Sequence, residues 1–120
     1  MHEMGVVLNI VRTAEQAAKA NHVAKIGRLT LQVGELTGVI PRYVYACWPA
    51  AIEDTILNGA ILAIEEIEGI ATCQDCGCDY SVLKNIKADQ PICPACGSKQ
   101  WKVKTGREVM IKEIGVIDNL

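Results

Sequence analysis

Apolar residues recur over the first twenty positions with the period of an amphipathic helix. Met4, Val7, Leu8, Val11, Ala14 and Ala18 share one face, and Arg12, Glu15, Gln16 and Lys19 the other. The spacing predicts a helix over about 4–20, with Glu15 and Lys19 placed for an i,i+4 pair. Asn21-His22 breaks the pattern and makes His22 a solvated cap residue. From about Lys25 to Glu35 the period becomes two: Leu29, Leu31 and Val33 alternate with Arg28, Thr30 and Gln32, as in a strand with one buried face. Gly34 and Gly38 bracket a turn. Pro41 suits the first position of a second helix, which the pattern carries to about Ile56, with a kink at Pro49 where a backbone donor is missing. Asn58-Gly59 ends it, and a second strand covers about Ala60 to Glu68. Its acidic residues Glu65, Glu66 and Glu68 read as a solvated face.

Two cysteine pairs follow, Cys73-Gln74-Asp75-Cys76-Gly77 and Cys93-Pro94-Ala95-Cys96-Gly97. Four thiolates at this spacing can close a tetrahedral zinc site. Glycine after each second cysteine suits a turn with positive φ, which lets backbone N–H groups point at sulfur. An iron site of rubredoxin type and a pair of disulfides are the competing uses of the same residues. With all four positions filled by protein, the ion would hold a fold together and leave no place for substrate. Between the pairs lies a polar stretch with a short strand near Tyr80-Ser81-Val82, and Trp101 and Val103 can pack on the far side of the metal. Of the two remaining cysteines, Cys47 reads as core and Cys78 as a bystander.

Gly106 turns the chain into a last strand, about Arg107 to Ile117. Val109 and Ile111 on one face and Met110 and Ile114 on the other are more apolar surface than a small metal module can bury. This strand is therefore expected back in the sheet of the first part, which makes the cysteine module an insertion. The expected organisation is α+β. Residues 1–69 and 106–120 form one domain, and 70–105 form a zinc-ribbon-like module between two of its strands.

Composition narrows the function. The 120 residues are half apolar but include only two Trp, three Tyr and no Phe, so the core is aliphatic. A formal charge of −2 gives no general affinity for nucleic acid. The segment from Ala71 to Arg107 leans basic, with six Lys/Arg against three Asp, and a zinc ribbon that binds nucleic acid or protein is the alternative reading. Only Tyr80 and Trp101 are there to stack on bases. A dithiol oxidoreductase would need an activated thiol, and no Cys–His pairing is legible. No basic leader and no stretch long enough to span a bilayer is visible, so the cytosol is expected, where paired thiols favour metal over disulfide.

Met1-His2-Glu3 places an α-amine, an imidazole, backbone amides and a carboxylate within one short reach. An amine, a deprotonated amide nitrogen and an imidazole from adjacent positions can lie in one plane, a geometry that favours Ni(II) or Cu(II) over zinc. On these donors alone, a solvated histidine is the commoner outcome.

Met1-His2-Glu3 before an amphipathic helix, the stretch from Leu29 to Val39 (LTLQVGELTGV), that from Cys93 to Ser98 (CPACGS) and that from Gly106 to Ile114 (GREVMIKEI) occur here in that order. Together, over essentially the whole chain, they resemble the HypA/HybF family of nickel metallochaperones for [NiFe]-hydrogenase maturation. The resemblance implies a nickel-binding domain of two helices and a three-stranded sheet, carrying a zinc module, and no enzymatic activity. It implies Ni(II) cargo held by His2, with the Met1 amine and the amides of His2 and Glu3, and zinc held by Cys73, Cys76, Cys93 and Cys96. It also implies a HypB-type GTPase partner and delivery to the hydrogenase large subunit, with urease served by some members. Pro49, Cys78 and the stretch Leu57-Asn58-Gly59-Ala60 depart from the family pattern.

Overall fold

The computed structural model describes residues 3–117. The chain divides into two compact units. One takes the chain up to Gln32, Val39–Glu65 and the residues from Met110 onward; the other comprises Val33–Gly38 and Glu66–Val109.

In the first unit, α1 (Glu3–Ala20) packs on α2 (Pro41–Ile52). Helix α1 buries Val7, Ile10, Val11, Ala14 and Ala18, whereas Met4 and Leu8 stay exposed. The buried stripe is thus rotated toward Ile10 from the one expected. The C-terminus of α1 closes as a Schellman turn: Val23 N–H donates to Ala18 O (2.8 Å) and His22 N–H to Lys19 O (3.2 Å). His22 takes the left-handed position at φ 58, where glycine is commoner, and its ring is exposed.

Strand β1 (Ile26–Gly34) is central in a three-stranded sheet, between β2 (Ile61–Ile67) and β8 (Val109–Val116). Ile26 N–H donates to Ile56 O and Glu35 N–H to Ile67 O, so β2 runs parallel to β1 after the α2 crossover. Ile117 N–H donates to Lys25 O and Gly34 N–H to Glu108 O, so β8 runs antiparallel. Leu29, Leu31 and Val33 are buried as the alternation requires, and Thr30 is buried as well.

Helix α2 ends at Ile52, a turn earlier than its apolar pattern suggests. Asp54 adopts φ 63, and the Thr55 hydroxyl donates to Ile52 O (2.7 Å) while accepting Leu57 N–H (3.0 Å). A side chain that bonds its own backbone competes with helix, yet Leu57 is still fully buried from within this turn. Pro49 lies inside α2. Two α2 side chains meet outward backbone groups of the β2 segment: Trp48 Nε1–H donates to Ala60 O (2.9 Å), and Tyr45 Oη accepts Ile64 N–H (3.0 Å). On β2, Glu65 is not merely solvated. It accepts two bonds from Lys112 of β8 (2.9 and 3.0 Å) and one from Gln32 of β1 (3.3 Å).

The second unit holds β3 (Ile70–Cys73), β4 (Asp79–Ser81) and β7 (Trp101–Thr105), in the order β4-β3-β7, and a small hairpin of β5 (Ile86–Lys87) and β6 (Gln90–Pro91). Both pairings of β3 are antiparallel, with Ala71 opposite Tyr80 on one side and Val103 on the other. Its core is Ala71, Cys73, Tyr80, Val82 and Cys93, with Leu36, Cys78 and Trp101 packed against it. At its base the backbone crosses itself. A Cβ on Gly34 would overlap the backbone of Gly106, and one on Gly106, at φ +91, would meet Gly69.

Candidate metal centres

The two cysteine pairs fold into matching knuckles. In the first, Cys73 Sγ accepts the N–H groups of Asp75 and Cys76 (both 3.4 Å), and Gly77 N–H returns to Cys73 O (3.0 Å). In the second, Gly97 N–H returns to Cys93 O (2.8 Å). Gly77 and Gly97 sit at φ 78 and 75, the left-handed turn anticipated after each pair. Each knuckle is closed by a matching bond, Cys73 N–H to Cys78 O (2.8 Å) and Cys93 N–H to Ser98 O (3.0 Å). Cys78 and Ser98 therefore hold equivalent places. The Ser98 hydroxyl also donates to the Asp75 carboxylate, tying one knuckle to the other.

The four sulfurs lie within 4.8 Å of one another, with Cys73–Cys96 at 3.5 Å and Cys76–Cys93 at 3.6 Å. A tetrahedron with Zn–S bonds of about 2.3 Å has edges of about 3.8 Å, so the donor set fits such an ion. Cys73 and Cys93 are buried, and Cys76 and Cys96 face solvent. Among the described residues this is the group of three or more His, Cys, Asp or Glu side chains placed to hold a metal.

The thiols are electrostatically coupled. The Cys76 N–H, with that of Asp75, draws Cys73 down to about 6. Against its burial, the N–H groups of Cys96 and Ala95 hold Cys93 below the ordinary thiol value. The Cys78 amide favours the Cys76 thiolate, but burial and the neighbouring cysteines push this thiol up to about 12. Cys96 is likewise raised: the Ser98 amide favours its thiolate, but the Cys73 thiol, burial and the Cys93 thiol together outweigh it. Two sulfurs are thus ready to ionise and two resist while no cation offsets their charge. Cys73, Cys76, Cys93 and Cys96 would hold a divalent ion as four thiolates, and the ion would supply the charge that offsets theirs.

Of the second expected set, Met1 and His2 lie outside the described residues. Glu3 is the first residue of α1 and half-buried. Together with Met4, Tyr43, Ala46 and Cys47 it lines an open depression of about 390 Å³ between the N-terminal halves of α1 and α2. Cys47 is therefore not core, as its apolar neighbours suggest, but a half-exposed wall of this depression. Cys78 is half-buried: its thiol donates to Asp79 O (3.4 Å), and its side chain packs on the module core.

A family model described as "Hydrogenase/urease nickel incorporation, metallochaperone, hypA" matches residues 1–116. The chain belongs to the HypA family. It is 35% identical over 116 residues to "Hydrogenase maturation factor HypA" of Geobacter metallireducens, covering 97% of this chain and 99% of that protein. The protein of the same name from Nostoc sp. is 38% identical over 116 residues, covering 97% and 96%. The fold is shared with "Solution structure of the Ni metallochaperone HypA from Helicobacter pylori", at a TM-score of 0.71 and 24% identity, over 99% of this chain and all of that one. HypA proteins are metallochaperones and maturation factors rather than enzymes, so the thiol-rich centre needs no catalytic reading. The α+β fold with a four-cysteine metal-binding module agrees with the expectation from sequence.

Proposed function

We propose that this HypA-family chain carries Ni(II) to the large subunit of a [NiFe]-hydrogenase during its maturation, with urease as a second client. The family match carries this reading, because it spans the Met1-His2-Glu3 motif and both cysteine pairs in one stretch. Nickel is the cargo. It is bound by His2 with the Met1 amine and adjacent backbone amides, and Glu3 tunes the site or touches a partner. A HypB-type GTPase acts with the chain in the transfer, in the cytoplasm. Residues 1–69 and 106–120 serve as the nickel-binding domain and 70–105 as the zinc module.

Zinc on Cys73, Cys76, Cys93 and Cys96 is the resident ion and is structural. The near-tetrahedral sulfur spacing and the backbone N–H groups aimed at the buried thiolates support this assignment. Among the described residues no helix is long and apolar enough to cross a membrane.

Calorimetric titration with Ni(II) of the wild type, of His2→Ala and of a variant with residues added before Met1 tests the cargo site. Both variants are expected to lose the high-affinity site. Equal binding by all three would refute it. Thiol titration with and without a chelator tests the resident ion: four thiols should become reactive only after chelation, together with release of one zinc.

A further inference from the structure

The turn between α2 and β2 carries the chain's one asparagine followed by glycine, Asn58-Gly59, within the stretch that departs from the HypA pattern. Asparagine is thermally labile, because the next backbone nitrogen can attack its side-chain amide. Glycine, with no Cβ, leaves that nitrogen open to approach. Both residues are exposed. Ala60 N–H donates to Leu57 O (2.8 Å) across them, and Gly59 takes φ 81. The Asn58 carbonyl oxygen accepts a bond from Lys25 Nζ (2.9 Å). Among the described residues, neither the Gly59 N–H nor the Asn58 side-chain amide has a hydrogen-bond partner. The other described asparagines are held differently. Asn21 and Asn85 donate their side-chain amides to Ala17 O and Ser81 O (both 2.8 Å), and Asn9 lies inside α1. Ile10, His22 and Ile86 follow them, each with a bulky side chain beside the nitrogen that would attack.

We propose that Asn58-Gly59 is a site of self-modification, at which the backbone rearranges through a cyclic imide to aspartate and isoaspartate. Rotation about the Asn58 Cα–C bond brings Cγ to the Gly59 nitrogen, and the exposure of both residues leaves room for it. The nitrogen gives its proton to hydroxide and attacks. The N–Cγ bond forms, the Cγ–Nδ2 bond breaks and ammonia leaves. Water then opens the ring at either carbonyl. One water is consumed and one ammonia released overall, with no cofactor or oxidant, and neither metal centre takes part. Opening at Cγ gives aspartate, whose new charge arises beside the Lys25 ammonium. Opening at the main-chain carbonyl gives isoaspartate, which routes the backbone through the side chain and lengthens it by one methylene. Both flanks of the turn resist that change. Leu57 is fully buried, and Ala60 O accepts the Trp48 Nε1–H of α2 (2.9 Å). An extra backbone atom between these anchors breaks the Leu57–Ala60 bond and loosens the start of β2 from α2.

The test incubates the full zinc-loaded chain at mildly alkaline pH and follows it by peptide mass spectrometry. Fragmentation distinguishes aspartate from isoaspartate, and methyl transfer by an isoaspartyl methyltransferase labels the second product independently. Loss of the Asn58 amide is expected, with ammonia released, isoaspartate formed at position 58, and Asn9, Asn21 and Asn85 unchanged. The loss should quicken as pH rises, because the attacking nitrogen must first lose its proton. Asn58→Gln, whose longer side chain closes its ring far more slowly, should keep its amide over the same time. The aged wild type should unfold at a lower temperature than the fresh chain, and aged Asn58→Gln should not. An Asn58 amide that survives incubation, loss at Asn9, Asn21 and Asn85 at the same rate, or an isoaspartyl form as stable as fresh protein would overturn the proposal.

Discussion

Replacing Cys73 with alanine should unfold the cysteine module while leaving the helical unit folded. Cys73 and Cys93 are two of the five buried residues of the module core, so the metal ligands are also its hydrophobic centre. Without them only Ala71, Tyr80 and Val82 remain fully buried, too little apolar surface to order this many residues. Structural zinc contributes about 10–16 kcal/mol in isolated fingers. That is comparable to the whole stability of an ordinary domain, about 5–15 kcal/mol, so forfeiting even half of it decides the outcome. Hydrogen exchange by NMR reads this residue by residue. The amides of Val82, bonded to Gly69 O, and of Gln74, bonded to Gln100 O, should exchange as in an unfolded chain. Those of Leu29, Leu31 and the middle of α1 should stay slow, because their surroundings owe nothing to the four sulfurs. Nickel should remain bound at His2. Slow exchange of the Val82 and Gln74 amides in Cys73→Ala, with zinc absent by elemental analysis, would refute the reasoning.

Gly106→Ala should destabilise by more than about 1 kcal/mol, because its Cβ would strike the Gly69 backbone at φ +91; Gly59→Ala, at φ +81 with open space around it, isolates the φ cost alone. Denaturant titration of both variants should show the larger loss at Gly106, and equal losses would mean that the backbone crossing is not tight. Lys112→Met should lower the melting temperature at pH 7. Lys112, and then Gln32, holds the Glu65 carboxyl below its ordinary value, so this stabilisation is present above about pH 4 and fades as acid protonates Glu65. A wild-type-to-variant gap that stays constant down to pH 3 would count against the pair. Nickel affinity should fall from pH 7.5 to 6, because protons compete at the amine and imidazole, whose reference values are about 8 and 6.5; a flat calorimetric profile would exclude those ligands.

What the sequence conveyed followed physical range. The knuckles were legible because cysteine spacing and the trailing glycines act over five residues, and Gly77 and Gly97 take the expected φ. Strand β1 was legible from alternation, and the last strand rejoins β1 as its two apolar faces required. Less legible was whatever depends on a distant partner. Helix α1 has apolar residues on more than one stripe, and only packing selects Ile10 over Met4 and Leu8. The end of α2 is hidden in apolar Ile56 and Leu57, and the side-chain bonds of Thr55 that stop it carry no periodic signal. Glu65 reads as solvated until β8 brings Lys112 across β1. Cys47 reads as core until α1 and α2 are placed together with a depression between their N-terminal halves.

The central claim concerns hand-over of a metal, and a transfer assay meets it most directly. The chain, loaded with zinc and one equivalent of radiolabelled nickel, is mixed with the HypB-type GTPase proposed as its partner, GTP and the nickel-free hydrogenase large subunit, which is then isolated and counted. Stoichiometric label in the large subunit is expected from the wild type, and far less from His2→Ala or from free nickel buffered at the same concentration. Equal labelling from all three sources would contradict the account.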